Sequence, residues 1–575
     1  MAKNPSTLAD SEARPPVGAE SRAATQTPAG VPPVLDEAHI GDIRGALGTI
    51  RMDDTAARHD WRSRLMALLA IMGPGLIVMV GDNDAGGVST YAQAGQNYGT
   101  TLLWTLILLI PVLIVNQEMV IRLGAVTGVG HARLINERFG RFWGWFSVGD
   151  LFILNFLTIV TEFIGVSLAL GYFGVSRYVA VPLAAVALVA ITSTGSFRSW
   201  ERFMYVFVVA NFLVIPLLFM VHPHFGSIAH DTFLPSIKGG ASSTAVLLII
   251  AIVGTTVAPW QLFFQQSNII DKRITPRWIN YERTDTVIGA FVVVIGAGAT
   301  IAVAAFAFAG TPLAGQFVDA GTVASGLRHY VSPVAGAFFA IVLLNASMIG
   351  AASVTLATSY AFGDVFGASH SLHRGIRDAK LFYATFAAMV AAAAGIVLIP
   401  GAPLGLITTS VQALAGVLLP SATVFLLLLC NDREVLGPWV NATWLNAVAA
   451  VIIGILVELS LVLVATTVFP QANATHLFLY LSAALVIGLA ATGIYIMRGR
   501  APAAALARLA TAGGEAGRQA ARESRERRQS WTMPPLALLE RPAWSPGRRA
   551  AMLLLRGYLV VAVALLVVKT VQLGH

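Results

Sequence analysis

The chain is short of two things that soluble proteins have in plenty, charge and cysteine. Only 12% of its 575 residues are charged and 56% are apolar, whereas about a quarter of the residues of a typical soluble domain are charged. A soluble globular enzyme is therefore excluded. Cys430 is the only cysteine, so no disulfide forms within the chain and any metal must be held by other ligands.

The sequence also lacks the marks of nucleotide-driven and nucleic-acid-binding proteins. It contains no Gly-x-x-x-x-Gly-Lys-Ser/Thr phosphate loop. Its formal charge of +8 is not concentrated on a polar domain of the kind that binds nucleic acid. We therefore predict no cofactor, no nucleic-acid partner and no obligate protein partner.

Long apolar segments are what the sequence has in abundance. We count about twelve stretches of roughly 18 residues or more, the length that crosses a bilayer, separated by short polar joints. They lie at 65–97, 101–123, 143–172, 176–193, 202–222, 243–270, 284–310, 331–361, 379–400, 403–430, 442–469 and 475–497. The pattern predicts an all-α polytopic membrane protein.

The basic residues of the joints alternate between the two sides of the membrane. Fourteen Lys and Arg residues lie in the loops that connect spans 2 and 3, 4 and 5, 6 and 7, 8 and 9, and 10 and 11. Only three lie in the loops on the other side of the membrane. Because Lys and Arg favour cytoplasmic loops, we predict a protein of the inner or plasma membrane with a cytoplasmic N-terminus.

Both ends of the chain differ from the apolar core at residues 61–500. Residues 1–60 are polar and rich in Pro, Ala and Gly, which predicts a disordered cytoplasmic tail. Residues 501–547 are basic and polar, and we predict that they are cytoplasmic as well. Residues 548–575 contain a last apolar stretch, a candidate thirteenth span in which Arg556 and Lys569 must find partners or reach the interface.

Two of the apolar segments are interrupted near their middle. The first carries Gly-Asp-Asn-Asp-Ala-Gly-Gly at 81–87, and the sixth carries Gly-Thr-Thr-Val-Ala-Pro-Trp-Gln at 254–261. Unwound backbone inside a membrane is tolerated where it lines a protein-walled cavity. Because the broken helices are the first and the sixth of the spans, they predict a LeuT-type inverted repeat of helices 1–5 and 6–10, with the substrate bound between the breaks.

The residues of the first break favour a cation. Asp82 and Asp84 are costly as free charges near the membrane midplane, and unwound backbone offers carbonyl oxygens as ligands. A purely structural alternative is that the glycines kink the helix and an aspartate caps its second half. The matching break in the sixth helix favours the ion site.

The residues around the breaks resemble the Nramp family of divalent metal transporters. Met72–Leu76 followed by Asp84-Ala85-Gly86-Gly87 is similar to the family's first helix, whose motif reads Asp-Pro-Gly-Asn at the last four places. Further similar stretches are Leu123–Gly128, Thr161–Gly165, Gln412 eight residues before Pro420, and Asn431–Asn441. The resemblance covers about residues 60–500.

The resemblance implies a metal site, and the chain departs from the family within it. Asp84 is implied as the principal anionic ligand and Gln261 as an oxygen ligand, while Gly87 replaces the family's Asn and Ala258 its Met. A thioether favours transition metals over hard ions, and losing two side chains is expected to widen the cavity for an ion that keeps its waters, as Mg²⁺ does. Further candidate ligands are Asp82, Thr255, with its backbone carbonyl, and Gln412.

The usual proton route of the family is also altered. Trp260 replaces its sixth-helix His and Ile159 its third-helix Asp, which leaves Glu162 as the ionisable group there. This pattern resembles the prokaryotic Nramp-related magnesium transporters, which implies import of largely hydrated Mg²⁺, with Mn²⁺ also accepted. We predict alternating access without proton coupling, in which the negative-inside membrane potential drives entry of the ion.

Three other functions remain as alternatives. A proton-coupled Mn²⁺ or Fe²⁺ importer of the conventional Nramp type is disfavoured by the lost Met and His. An amino-acid carrier on the same fold is disfavoured by the two acidic residues of the first break. A metal sensor would need an effector domain, and the sequence contains no recognisable one.

Overall fold

A computed structural model of the chain describes residues 37–490, with gaps at 55, 57, 241, 402–403, 470, 472 and 474, and residues 531–539. It also describes positions 526, 528, 552, 553, 557 and 560. The regular structure is almost entirely helical.

The helices of the first half begin with a split first span. They are α1 (Trp61–Ile71), α2 (Pro74–Gly81), α3 (Ala85–Tyr98), α4 (Leu103–Thr127), α5 (His131–Phe139), α6 (Arg141–Tyr172), α7 (Arg177–Thr192), α8 (Phe197–Asn211), α9 (Val214–Met220) and α10 (Phe225–Phe233). The fifth predicted span is formed by α8 and α9 together.

The second half begins with another split span. Its helices are α11 (Ser243–Thr256), α12 (Pro259–Asp271), α13 (Ile279–Phe308), α14 (Ala320–Tyr330), α15 (Pro333–Phe366), α16 (Lys380–Val397), α17 (Leu404–Cys430), α18 (Arg433–Leu436) and α19 (Thr443–Val468). A further apolar helix covers Thr475–Ala490. Short 3₁₀ turns lie at Glu37–His39, Pro276–Trp278, Gly437–Trp439 and Leu536–Leu538.

Helices occupy all twelve predicted spans. In the part of the chain that the structure describes, nine of the spans are long and apolar enough to cross a bilayer. The other three are the split first span, whose α1 and α2 meet at 53°, and the shorter helices Arg177–Thr192 and Thr475–Ala490. The predicted all-α polytopic architecture is confirmed.

Both helix breaks lie where the sequence predicts them, and each is narrower than the predicted interval. Residues 82–84 separate α2 from α3, and residues 257–258 separate α11 from α12. Two of these half-helices, α2 and α12, begin with a proline at their first position, where the missing N–H costs nothing and the fixed φ suits a helix.

The packing of the broken spans is reciprocal between the two halves. The second span of the first half, α4, packs against α12, and the second span of the other half, α13, packs against α2 and α3. Each half thus packs its second span against the broken span of the other half, as expected for two copies of a repeated five-helix unit. The breaks thereby come to lie inside the bundle.

One prediction about the N-terminal tail is wrong. Residues 43–50, predicted to be disordered, form a β-hairpin in which β1 (Ile43–Gly45) pairs antiparallel with β2 (Gly48–Ile50). Ile43 and Ile50 are paired with each other and buried. Each strand has three residues, too few for a recognisable alternating pattern, and the hairpin is stabilised by residues far along the chain. Residues 1–36 lie outside the described residues.

The predictions for the C-terminal region fall largely on undescribed residues. Of the basic segment 501–547, the structure describes 526, 528 and 531–539, and of the candidate span 548–575 only four positions. The Trp439 indole donates a hydrogen bond of 2.8 Å to the Arg528 carbonyl. Residues after the apolar core therefore return to its surface.

Candidate metal centre

The first break contains three polar residues with different surroundings. Asp84 caps α3, because its Oδ1 accepts a 2.7 Å hydrogen bond from the Gly87 N–H. Asn83 turns toward α13 and donates to the Val293 carbonyl at 3.1 Å. Asp82 is fully buried, and neither of its carboxylate oxygens has a hydrogen-bond partner among the described residues. The capping role and an ion-binding role are thus compatible in this break.

The second break supplies a hydroxyl and an amide. The Thr255 hydroxyl is buried and unpaired within the described part of the chain. Gln261, on the first turn of α12, donates to the Thr256 carbonyl at 3.2 Å and accepts from the Gln117 amide at 3.3 Å. Ala258 caps α12 in an extended conformation and is 5% exposed. Ala258 therefore contributes only a methyl group to this break.

Position 87 lies where the two breaks meet. A Cβ atom added to Gly87 would lie 2.8 Å from the Asp82 carbonyl oxygen and 3.1 Å from the Thr255 hydroxyl oxygen. The structure thus brings Asp82, Asp84 and Thr255 together around this glycine. It does not show the wider cavity that we predict from the loss of the Asn, because the Asp82 carbonyl and the Thr255 hydroxyl fill that place.

Gln412, more than 300 residues along the chain from the first break, reaches it directly. A Cβ atom added to Gly86 would lie 1.6 Å from the Gln412 Nε2 atom, so the amide packs against the bare backbone of α3. This Nε2 atom is buried and has no hydrogen-bond partner among the described residues. The prediction that Gln412 belongs to the site stays a prediction, and its position supports it.

The contact between Gln412 and Gly86 gives a test of the amide. We expect Gly86→Ala to displace the Gln412 side chain and lower ion uptake about tenfold, the effect of one weakened ligand of about 1.4 kcal/mol. Uptake by reconstituted protein would be compared with that of Gly149→Ala, because a Cβ at Gly149 meets no atom within 4 Å. Equal uptake by the two variants would show that Gln412 is not part of the site.

Glu162 is a direct neighbour of Asp84. Its Oε2 atom accepts a hydrogen bond of 3.1 Å from the Ala85 N–H. A Cβ atom added to Gly350 would lie 2.6 Å from the Glu162 carboxyl carbon and 3.0 Å from the Asp84 Cβ atom. Sequence reasoning placed Glu162 on a proton route, and the structure places it at the first break as well.

Two residues of the site were missed at the sequence level. Gln117 on α4 bonds to Gln261, and the Tyr91 hydroxyl lies 2.8 Å from the Thr256 hydroxyl oxygen. An amide in the middle of an apolar span is a signal that could have identified Gln117. Tyr91 carries no such signal, because the aromatic ring of a tyrosine also packs as an apolar side chain.

The centre is acidic, occluded and rich in oxygen atoms. Asp82, Asp84 and Glu162 are at most 2% exposed, and none of them lies within 4 Å of a basic side chain in the described residues. In the same part of the chain, no three His, Cys, Asp or Glu side chains are arranged to hold a metal on their own. A cation here would need backbone, amide, hydroxyl or water oxygens in addition to carboxylates, the ligands of hard divalent ions.

Sequence comparison matches the chain to a family of known proteins. The family model for Nramp, natural resistance-associated macrophage protein-like, matches residues 75–466. The divalent metal cation transporter MntH of Ralstonia nicotianae is 28% identical over 407 residues, 66% of this chain and 87% of the relative. The Bacillus subtilis MntH is 27% identical over 417 residues, 70% of this chain and 93% of the relative.

The fold has a counterpart among solved structures. The crystal structure of the Eremococcus coleocola manganese transporter aligns with a TM-score of 0.56 at 19% identity, covering 78% of this chain and 98% of that one. The LeuT-type fold predicted from the paired breaks is thereby confirmed. The relatives are metal transporters and not enzymes. The chain belongs to the Nramp family of divalent metal transporters.

Proposed function

We propose that the protein imports Mg²⁺, and also Mn²⁺, as a largely hydrated ion by alternating access without proton coupling. The observation that carries this proposal is the composition of the occluded centre, where Asp82, Asp84, Thr255, Gln261 and Gln412 offer oxygen atoms and Ala258 replaces the thioether. Mg²⁺ takes oxygen ligands and retains several waters, whereas a sulfur ligand would favour softer transition metals.

The residues that replace the family's proton carriers support uncoupled movement. Trp260 and Ile159 are at most 1% exposed, and neither side chain has a group that titrates near neutral pH. Glu162 is engaged by the Ala85 N–H. We infer that the membrane potential acting on the two charges of the ion drives entry.

The arrangement of basic residues supports a cytoplasmic N-terminus in an inner or plasma membrane. Arg198 and Arg202 lie near the start of the fifth span, and Arg273 follows the sixth. The side chains of all three donate hydrogen bonds to backbone carbonyls of residues 38–46. These two basic joints and the N-terminal segment therefore share one face. We propose that this face is cytoplasmic, because Lys and Arg favour that side.

Reconstitution tests the ion and the coupling together. In proteoliposomes with a negative-inside potential, we expect Mg²⁺ entry, competition by Mn²⁺ but not by Ca²⁺, and no acidification of the lumen. A magnesium-sensitive dye and a pH dye inside the vesicles would record both quantities.

A proton-coupled Mn²⁺ importer is the second candidate. It is favoured by the adjacency of Glu162 to Asp84, which places a second carboxylate where ion and proton binding would interact. Mn²⁺ entry with acidification, and no Mg²⁺ entry, would establish this candidate and overturn the magnesium proposal.

A further inference from the structure

The β-hairpin at residues 43–50 precedes the range that matches the family, and it lies directly under the first span. A Cβ atom added to Gly45 would lie 2.0 Å from the Ala70 carbonyl oxygen, and one added to Gly48 would lie 2.9 Å from the Ala70 Cβ atom. Two glycines thus allow the hairpin backbone to touch the end of α1. Glycine has no Cβ atom and therefore permits such a close approach of two backbone segments.

Three residues on one face of α8 hold the turn of the hairpin. Arg198 Nε donates to the Gly45 carbonyl at 3.0 Å, and Arg202 Nε donates to the Ala46 carbonyl at 3.2 Å. The Ala46 N–H donates to the Glu201 carboxylate. Positions 198, 201 and 202 are adjacent on a helix surface, so α8 binds the turn through both its carbonyl and its N–H groups.

Glu201 connects the hairpin to the start of the half-helix α2. Lys272 Nζ lies 2.5 Å from Glu201 Oε1 and donates to the Met72 carbonyl at 2.8 Å, and both charged side chains are fully buried. A Cβ atom at Gly73 would lie 1.9 Å from Glu201 Oε1. The carboxylate therefore packs against the backbone that joins α1 to α2.

The start of α2 is also capped from α13. The N–H groups of Gly73, Gly75 and Leu76 donate to Asp285 Oδ2 at 3.0, 2.8 and 3.3 Å. The first turn of α2 therefore rests on two buried anionic side chains, Asp285 and Glu201, and the second of these also binds the hairpin. Any movement of α2 away from this face would have to break these hydrogen bonds.

We propose that the hairpin is a latch that holds the N-terminal face of the transporter closed. When the turn is bound, the Ala46 N–H and the Lys272 ammonium group both donate to the Glu201 carboxylate. One buried network then connects α8, the end of α12 and the start of α2. When the hairpin detaches, Glu201 loses its N–H donor, the arginines lose their acceptors, and the closed arrangement is destabilised. The inference goes beyond the proposed function and rests on it only in assuming that the protein works by alternating access.

Thiol labelling tests the latch without transport. Leu76→Cys places a thiol on the first turn of α2, where the native side chain is 8% exposed, and the native Cys430 is fully buried. In that background, Arg198→Gln with Arg202→Gln is expected to raise the rate of labelling by a membrane-impermeant maleimide about tenfold, or 1.4 kcal/mol. Arg44→Gln, whose side chain lies in the same hairpin and is 59% exposed, is the matched control and should label at the parent rate.

Ala46→Pro is a second, single change, in case the double variant fails to fold; it removes the N–H donor to Glu201 and also fixes φ at this buried position. The latch would be overturned if either variant, folded and with the melting temperature of the parent, were labelled at the parent rate. The hairpin would then be a static cap. Since labelling needs no metal, a protein that fails to carry Mg²⁺ but shows faster labelling would overturn the proposed substrate and leave the latch standing.

Discussion

Asp84→Ala should reduce Mg²⁺ uptake by reconstituted protein at least about 100-fold. Removing one partner of a buried charge interaction costs about 3–5 kcal/mol, and each 1.4 kcal/mol is tenfold in affinity. Asp84 is 2% exposed and lies at the meeting point of the two breaks. Dye-reported ion entry under a negative-inside potential measures the effect.

Asp84→Asn separates ion binding from helix capping, since Asn caps a helix about as well as Asp. Asparagine keeps an acceptor for the Gly87 N–H, which Asp84 Oδ1 now binds at 2.7 Å, but it removes the charge. We expect both variants to lose uptake, while Asp53→Ala, at a side chain 74% exposed, retains it. Full uptake by Asp84→Asn would mean that Asp84 is only a cap and that the ion binds elsewhere.

Ala258→Met should raise the preference for Mn²⁺ over Mg²⁺ by about tenfold, equivalent to 1.4 kcal/mol. The substitution returns a soft thioether to the second break, and soft ligands favour transition metals. Ala258 has φ −91° and ψ 147°, an extended conformation that methionine adopts without strain. Competition of Mn²⁺ against Mg²⁺ uptake measures the ratio.

Ala258→Leu is the matched control, because leucine has nearly the size of methionine but no sulfur. A change of ratio equal to that of Ala258→Met would trace selectivity to the shape of the cavity and contradict the thioether argument. The structure also favours the single substitution over a double one with Gly87→Asn. Any side chain at position 87 meets the Asp82 carbonyl oxygen at 2.8 Å, so that variant would disturb the break itself.

Much of the architecture is a local property of the sequence. A segment's length and apolarity decide whether it crosses a bilayer, and glycine, proline and aspartate interrupt a helix where they stand. The spans, both breaks and the positions of Asp84 and Ala258 were therefore predictable. The metal-binding roles of these residues are not tested by the geometry and remain predictions.

The tertiary structure alone decided which distant residues meet. Glu162 reaches Ala85 across 77 positions, Gln117 reaches Gln261 across 144, and the Ala46 N–H reaches Glu201 across 155. A short hairpin has no sequence signal of its own, because its stability comes from Ala70, Arg198 and Arg202 rather than from its strands. The sequence by itself determined where the chain crosses the membrane and where it unwinds, since these depend on neighbouring residues. Only packing determined what surrounds the unwound backbone, since that depends on how the helices are arranged in space.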